Sequence, residues 1–203
     1  MITAIIVQAR MRSKRLPGKV LKTVLGKSLL EYQTERLRRV TLADKIIIAT
    51  TTNTTDQPLV EFCQQHSLPC FRGSEEDVLG RYCGAAASHE VDVIVRVTAD
   101  CPLIDPKVID KVIRCYLDSQ GSFDFVSNTL ARTYPRGMDC EVFPALLLEE
   151  IEREATAPPD REHVTPFFYR HPDRYRLGNV THESDQSRHR WTVDTHEDLE
   201  LIT

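Results

Sequence analysis

The chain of 203 residues predicts an α/β fold organised around a doubly wound parallel sheet. Three observations carry that prediction. Residues 2–7, 45–50 and 91–97 are apolar runs with almost no polar alternation, the pattern of strands buried on both faces. Segments of helical period separate them. Residues 1–120 therefore read β-α-β-α-β-α-β-α, for which right-handed crossovers follow almost by rule.

The first strand runs into residues 8–19, where Arg10, Arg12, Lys14, Arg15 and Lys19 place five cations within ten residues. A charge run is usually a solvated face, but this one follows a doubly buried strand. Ligands of open α/β sheets bind beyond the carboxyl ends of strands, so the loop reads as an anion site. Pro17-Gly18 turns it sharply, and Gly18 lets backbone N–H groups approach a ligand. A helix follows over 29–39 with Leu29, Leu30, Tyr32, Leu37 and then Val40 towards a core; Ser28 is its N-cap, and Glu31 completes a capping box.

The second strand, 45–50, ends in a run of hydroxyls and amides, residues 50–56, that either contacts a nucleotide or caps the next helix through Thr55 or Asp56. A short strand over 69–72 precedes a helix capped by Ser74, with Asp77 at the capping-box spacing and Arg81 pointing back along it. The strand at 91–97 delivers Thr98-Ala99-Asp100-Cys101-Pro102; a carboxylate there, before a proline turn, is poorly explained as packing. A helix over 106–117 closes this half.

Beyond it the pattern changes. A strand at 123–128 leads through an irregular loop over 133–143 into another strand. An amphipathic helix at 144–154 is expected to bury Leu146, Leu147, Leu148 and Ile151. A short helix over 160–169 carries Arg161 and His163. Strands at 175–180 and 189–194 precede a final helix, capped by Asp194 or Thr195 and cut short by the end of the sequence.

A net charge of −4 gives no general attraction for nucleic acid or membrane, so the basic loop is a focused feature suited to a small polyanion. With no signal-peptide pattern and no spanning apolar run, a cytoplasmic location is expected. Six cysteines without a C-x-x-C pair fit reduced thiols. Cys101 beside Asp100 resembles a catalytic thiol, but no neighbouring histidine in sequence would activate it.

Arg10, Arg15, Leu16-Pro17-Gly18-Lys19, Asp100-Cys101-Pro102-Leu103 and Asp194-Thr195-His196-Glu197-Asp198 together resemble the sugar cytidylyltransferases, which include the CMP-ulosonate synthetases of the CMP-KDO and CMP-sialic-acid type. Phe71-Arg72-Gly73-Ser74-Glu75-Glu76-Asp77, Tyr134-Pro135-Arg136-Gly137-Met138-Asp139 and Arg161-Glu162-His163-Val164-Thr165-Pro166 bring the resemblance closer to spore-coat polysaccharide biosynthesis proteins of the SpsF type.

The resemblance implies a three-layer α/β/α Rossmann-like nucleotide-diphospho-sugar transferase fold, GT-A-like, with a mixed, mostly parallel sheet and a small dimerisation and acceptor subregion. It implies one nucleotidyltransferase domain over 1–203, with a nucleotide half at 1–120 and an acceptor half at 121–203. The activity implied is Mg²⁺-dependent transfer of CMP from CTP to a sugar, by a homodimer formed around residues 134–143. Arg10, Lys19 and Asp100 become candidate catalytic residues. Ala9, Arg12, Ser13, Arg15 and Arg96 join Arg10 and Lys19 in holding nucleotide, with Arg96 alternatively an ion-pair partner at a strand end. Asp100 and Asp194 become metal ligands, the alternative for Asp194 being a helix cap. Arg136, Asp139, Glu141, Arg161 and His163 are candidates for the acceptor side, His163 alternatively a hydrogen-bonded structural histidine. Two other readings remain on the same fold: a glycosyltransferase, which would want an Asp-x-Asp pair, and a non-catalytic nucleotide-binding module, which would be expected to lack one carboxylate.

Overall fold

The computed structural model describes residues 1–203. Nine strands, eight α-helices and two short 3-10 turns follow the chain. β1 (Thr3–Gln8) leads through the basic loop and a 3-10 turn (Lys19–Leu21) to a tight hairpin of β2 (Thr23–Val24) and β3 (Lys27–Ser28), then α1 (Leu29–Leu37). β4 (Lys45–Thr51), α2 (Gln57–Gln65), β5 (Cys70–Gly73), α3 (Val78–Ser88), β6 (Val93–Thr98) and α4 (Pro106–Asp118) complete the alternating half. The remainder is β7 (Phe125–Ser127), β8 (Glu141–Pro144), α5 (Ala145–Glu154), α6 (Pro158–His163), α7 (Pro166–Arg170), β9 (Leu177–Asn179) and α8 (His196–Ile202).

The main sheet has seven strands in the order β5-β4-β1-β6-β8-β7-β9. β5, β4, β1 and β6 are parallel, and β8 runs antiparallel to both β6 and β7. This is the mixed, mostly parallel sheet expected. The chain leaves β1 for β4 on one side and returns to β6 on the other, so the crevice between the ends of β1 and β6 is a topological switch point.

Burial on both faces explains the unalternating strands. Ile5 and Val7 pack on one face with Ile48, Val95 and Val97, while Ala4 and Ile6 pack on the other with Ile47, Ala49 and Ile94. Truncating such a residue to alanine costs about 2–5 kcal/mol. A third, small cluster joins Leu16, Val24 and Leu29 to Val193, clamping the basic loop and hairpin to the C-terminal segment.

Several local expectations are corrected. Residues 189–194 form no strand; a single bridge pairs Arg136 with Arg190, and the segment is held by loop bonds from Trp191 N to Arg136 O at 2.7 Å and Val193 N to Asp100 O at 2.8 Å. The helix expected over 160–169 is two helices, because Val164 at φ 72° breaks it before Pro166, which can start a helix but not continue one. α3 is capped by Asp77, whose side chain accepts from Gly80 N, and not by Ser74. Ser74 instead accepts from Asp77 N, bracing the turn before. Leu146 is exposed, whereas Leu148 and Ile151 are buried. Ser28 caps α1 as expected, accepting from Glu31 N at 3.1 Å. Neither Thr55 nor Asp56 caps α2 through its side chain.

In the segment expected at a dimer contact, Tyr134, Met138, Cys140, Val142 and Phe143 are buried in the protomer's own core, and Arg136 is exposed. Val142 and Phe143 are buried because β8 is an interior strand of the sheet. No helix is long and apolar enough to cross a membrane.

Candidate active site

The basic loop is anchored before it is charged. Asp56 is buried and accepts from Thr50 Oγ1 at 3.1 Å, Thr51 N at 3.2 Å and Thr51 Oγ1 at 2.6 Å; its other oxygen accepts from Met11 N at 2.8 Å. Gly18, at φ 69°, donates its N–H to Met11 O at 2.8 Å and folds the loop back on itself. Leu16 is sunk into the third cluster. The consequence is a ring of cations over the end of β1.

Lys19 turns inwards. Its Nζ donates to Asp194 Oδ1 at 2.9 Å, Val193 O at 2.8 Å and Asp100 Oδ2 at 3.2 Å, and its side chain is 11% exposed. Arg15 Nη2 reaches the same Asp194 oxygen at 3.0 Å. Thr98 Oγ1 donates to Asp100 Oδ1 at 2.5 Å, fixing that carboxylate at the end of β6. Asp194 does not cap α8. Thr195 does, in a full capping box with Asp198, and this leaves the Asp194 carboxylate free to face the cleft.

A second layer holds Asp194. Arg190 Nη2 donates to Asp194 Oδ2 at 2.7 Å, and its Nε donates to Asp198 Oδ1 at 2.9 Å. Asp198 Oδ2 also accepts from Asp194 N at 2.8 Å and Thr195 N at 3.0 Å. The Arg190 hydrogen bonds, outweighing partial burial and aided by these two N–H donors, hold the Asp198 carboxyl at about 2. Burial pulls Asp194 upward, but hydrogen bonds and charge from Lys19, with Arg190 and Arg15, hold it below the ordinary carboxylate value. Both carboxylates of that pair are anions at neutral pH.

Arg15, Lys19, Asp100 and Asp194 line a cleft of about 430 Å³. Of the expected residues it gathers Ala9, Arg10, Ser13, Arg15, Lys19, Asp100, His163 and Asp194. Arg12 and Arg161 line an adjoining groove of about 1240 Å³, which shares Arg10, Ser13, Lys14 and Glu162 with the cleft. Arg10 and Arg12 pair with Glu75 at 3.6 and 3.5 Å across it.

Other expected residues lie outside both. Arg96 Nη1 bonds Glu141 Oε2 at 2.6 Å, and Thr165 Oγ1 donates to Glu141 at 3.1 Å. With side chains 15% and 10% exposed, this is a largely buried ion pair across neighbouring strands. Asp139 is gripped by both arms of Arg132, at 2.5 and 2.7 Å. Arg136 contributes its backbone to the 189–191 segment. Arg161, which does line the groove, ties α6 to the cap of α3 through Asp77 and donates to Glu152 O at 2.7 Å.

Lys14, Arg81, Gln8 and Glu162 also line the cleft without having been singled out as site residues. Lys14 was visible in the basic run; Arg81 is buried, its Nη1 donating to Ser74 O at 2.5 Å and its Nε without a partner. Cys101 lies against Asp100 but burial and that carboxylate push its thiol well up, so it is no nucleophile.

No cluster of three or more His, Cys, Asp or Glu side chains forms a metal cage. What the cleft offers is two carboxylates beside a cationic loop. That donor set suits a hard dication which takes its remaining ligands from water and phosphate.

A family model described as cytidylyltransferase matches residues 4–203. The spore coat polysaccharide biosynthesis protein SpsF of Bacillus subtilis is 35% identical over 204 residues, covering 97% of this chain and 83% of that protein. The 3-deoxy-manno-octulosonate cytidylyltransferase of Pelobacter propionicus is 38% identical over 120 residues, 58% of this chain and 45% of that protein. Among solved structures, a cytidylyltransferase from Leptospira borgpetersenii superposes with a TM-score of 0.96 at 36% identity, over 100% of this chain and 85% of that one.

Proposed function

The chain belongs to the cytidylyltransferase family and is a nucleotidyltransferase; from that premise we propose that it transfers CMP from CTP to a hydroxyl of an acidic or deoxy sugar of the ulosonate type, releasing pyrophosphate, for polysaccharide or surface-glycan synthesis. The observation that carries this reading is the convergence of Asp100, Asp194 and Lys19 at the switch point, under the cations of the β1 loop. The name borne by the octulosonate enzyme supports the acceptor class, and that borne by SpsF supports polysaccharide synthesis.

In this reading Arg10, Lys14, Arg15 and Lys19 hold the triphosphate. Arginine forks match phosphate oxygens, and Lys19 acts as a movable point charge. Asp100 and Asp194 would hold Mg²⁺, which supplies charge neutralisation at the phosphates. No protein nucleophile is required: the acceptor hydroxyl attacks the α-phosphorus in line, and the chain's work is to position both partners. On the acceptor side, Arg161 and His163 line the cleft and groove, whereas Glu141 and Asp139 are engaged in ion pairs. A homodimer, checked by light scattering, belongs to the same reading.

The test is pyrophosphate release with each nucleoside triphosphate, Mg²⁺ and a panel of ulosonates and sugar phosphates. Release is expected only with CTP and a sugar together. Asp100→Asn should lower turnover by about a hundredfold or more, the scale of losing a charge-stabilising group, with little change in melting temperature. Near-wild-type release by that variant would sink the metal assignment.

A further inference from the structure

An ammonium group has three N–H donors, and all three of Lys19 are spent. They go to Asp194 Oδ1, Val193 O and Asp100 Oδ2 at 2.9, 2.8 and 3.2 Å. Lys19 therefore cannot bond a phosphate oxygen while it keeps this tripod. Its two roles, partner of the carboxylates and partner of the triphosphate, exclude one another.

Charge reinforces the point. Around the pair stand three carboxylates, Asp100, Asp194 and Asp198, and three paired cations, Lys19, Arg15 and Arg190. The cluster is neutral as it stands, so nothing net draws a dication to it. Moving Lys19 away leaves it net negative, frees Asp100 Oδ2 and leaves Asp194 Oδ1 with Arg15 alone.

We infer that Lys19 is the resident counter-ion of the Asp100–Asp194 pair, and that a divalent cation gains these carboxylates only when nucleotide phosphate draws Lys19 off them. This rests on the metal reading given above. Metal and nucleotide then load together, and the free protein is protected from holding a metal with no triphosphate to act on. Lys19 starts the 3-10 turn just after Gly18.

The experiment is a titration of nucleotide-free protein with Mn²⁺, followed by electron paramagnetic resonance, for wild type and Lys19 variants. Lys19→Met and Lys19→Gln should bind Mn²⁺ about tenfold or more tightly than wild type, the scale of removing one unit charge a few ångströms away. Lys19→Arg should stay weak like wild type, and Lys19→Met combined with Asp194→Asn should lose the gain. Two uncharged variants are included so that poor folding of one, seen by circular dichroism, leaves the other to decide. If both bind no more tightly than wild type while Asp100→Asn still abolishes metal-dependent turnover, the counter-ion role falls and the metal assignment stands. If Asp100→Asn turns over normally, the metal assignment falls and takes this inference with it.

Discussion

Val193 donates its backbone N–H to the carbonyl oxygen of Asp100 at 2.8 Å, and Thr192 Oγ1 reaches the same oxygen at 3.2 Å. Through these two bonds the C-terminal segment is stitched to the end of β6. With the Trp191–Arg136 bond and the packing of Val193 on Leu16, they bring Asp194 opposite Asp100. The Asp100–Asp194 pair is thus made by loop bonds rather than by the sheet.

That stitching depends on Gly137. Its φ is 104°, and a Cβ there would lie 2.8 Å from both Thr192 N and Trp191 C, backbone atoms that cannot swing aside. Gly137→Ala should therefore push the 191–193 segment off Asp100. A stability loss of about 1–3 kcal/mol is expected from the strain, with turnover falling more than the folded fraction. Calorimetry and pyrophosphate release on one preparation separate the two.

Asp56 governs the other side of the cleft. Asp56→Ala would strip acceptors from two threonine hydroxyls and two backbone N–H groups, all in buried or half-buried positions. The expected cost is about 2–4 kcal/mol, since unmade buried hydrogen bonds carry their full desolvation penalty. Because Met11 N is one of the donors, KM for the nucleotide should rise as the basic loop loses its anchor. Steady-state kinetics at a temperature where the variant stays folded measures that rise.

What could be read from the sequence followed from what is local. Strands β1, β4 and β6 announce themselves because burial on both faces leaves an apolar run, and Ser28 and Thr195 are caps whose partners lie within three residues. Lys19 and Asp100 were legible as charges at strand ends. Residues 189–194 resemble a strand in sequence because Trp191 and Val193 supply apolar character, while the partners that hold them, Arg136 and Asp100, are distant in sequence. Asp56 looked like a cap by position, and only the tertiary fold turns it back onto β4 and across to Met11. The alternative reading of Arg96 as an ion-pair partner holds, but that its partner is Glu141, distant in sequence, has no local signature.

That pair yields a third prediction. Glu141→Ala alone leaves the Arg96 guanidinium largely buried without its partner, and losses of about 3–5 kcal/mol follow breaking one side of such a pair. Replacing both, Arg96→Met with Glu141→Leu, should recover most of the stability. If the pair acts through packing, turnover per folded molecule of the double variant stays within a few-fold of wild type. A hundredfold loss there would instead assign one of them to nucleotide or acceptor.

The acid limb of stability should report on the Arg190–Asp198 contact. The folded-state carboxyl of Asp198 sits at about 2 against an ordinary 3.8, its shift led by the Arg190 hydrogen bond. A depressed carboxylate contributes stability that is present above its unfolded value and lost as pH falls through the folded one. The contribution is thus whole at pH 6, begins to go near pH 4 and is mostly gone by about pH 2. Asp198→Asn should lower the melting temperature at pH 6 and change it much less at the acid end, so its stability profile is flatter than wild type over that window. Since Asp198 also accepts from Asp194 N and shares Arg190 with the Asp194 carboxylate, the same variant should lose turnover at neutral pH while the fold survives. A parallel drop in melting temperature at every pH would mean that the contact stabilises by shape alone and that its ionisation is not coupled to folding.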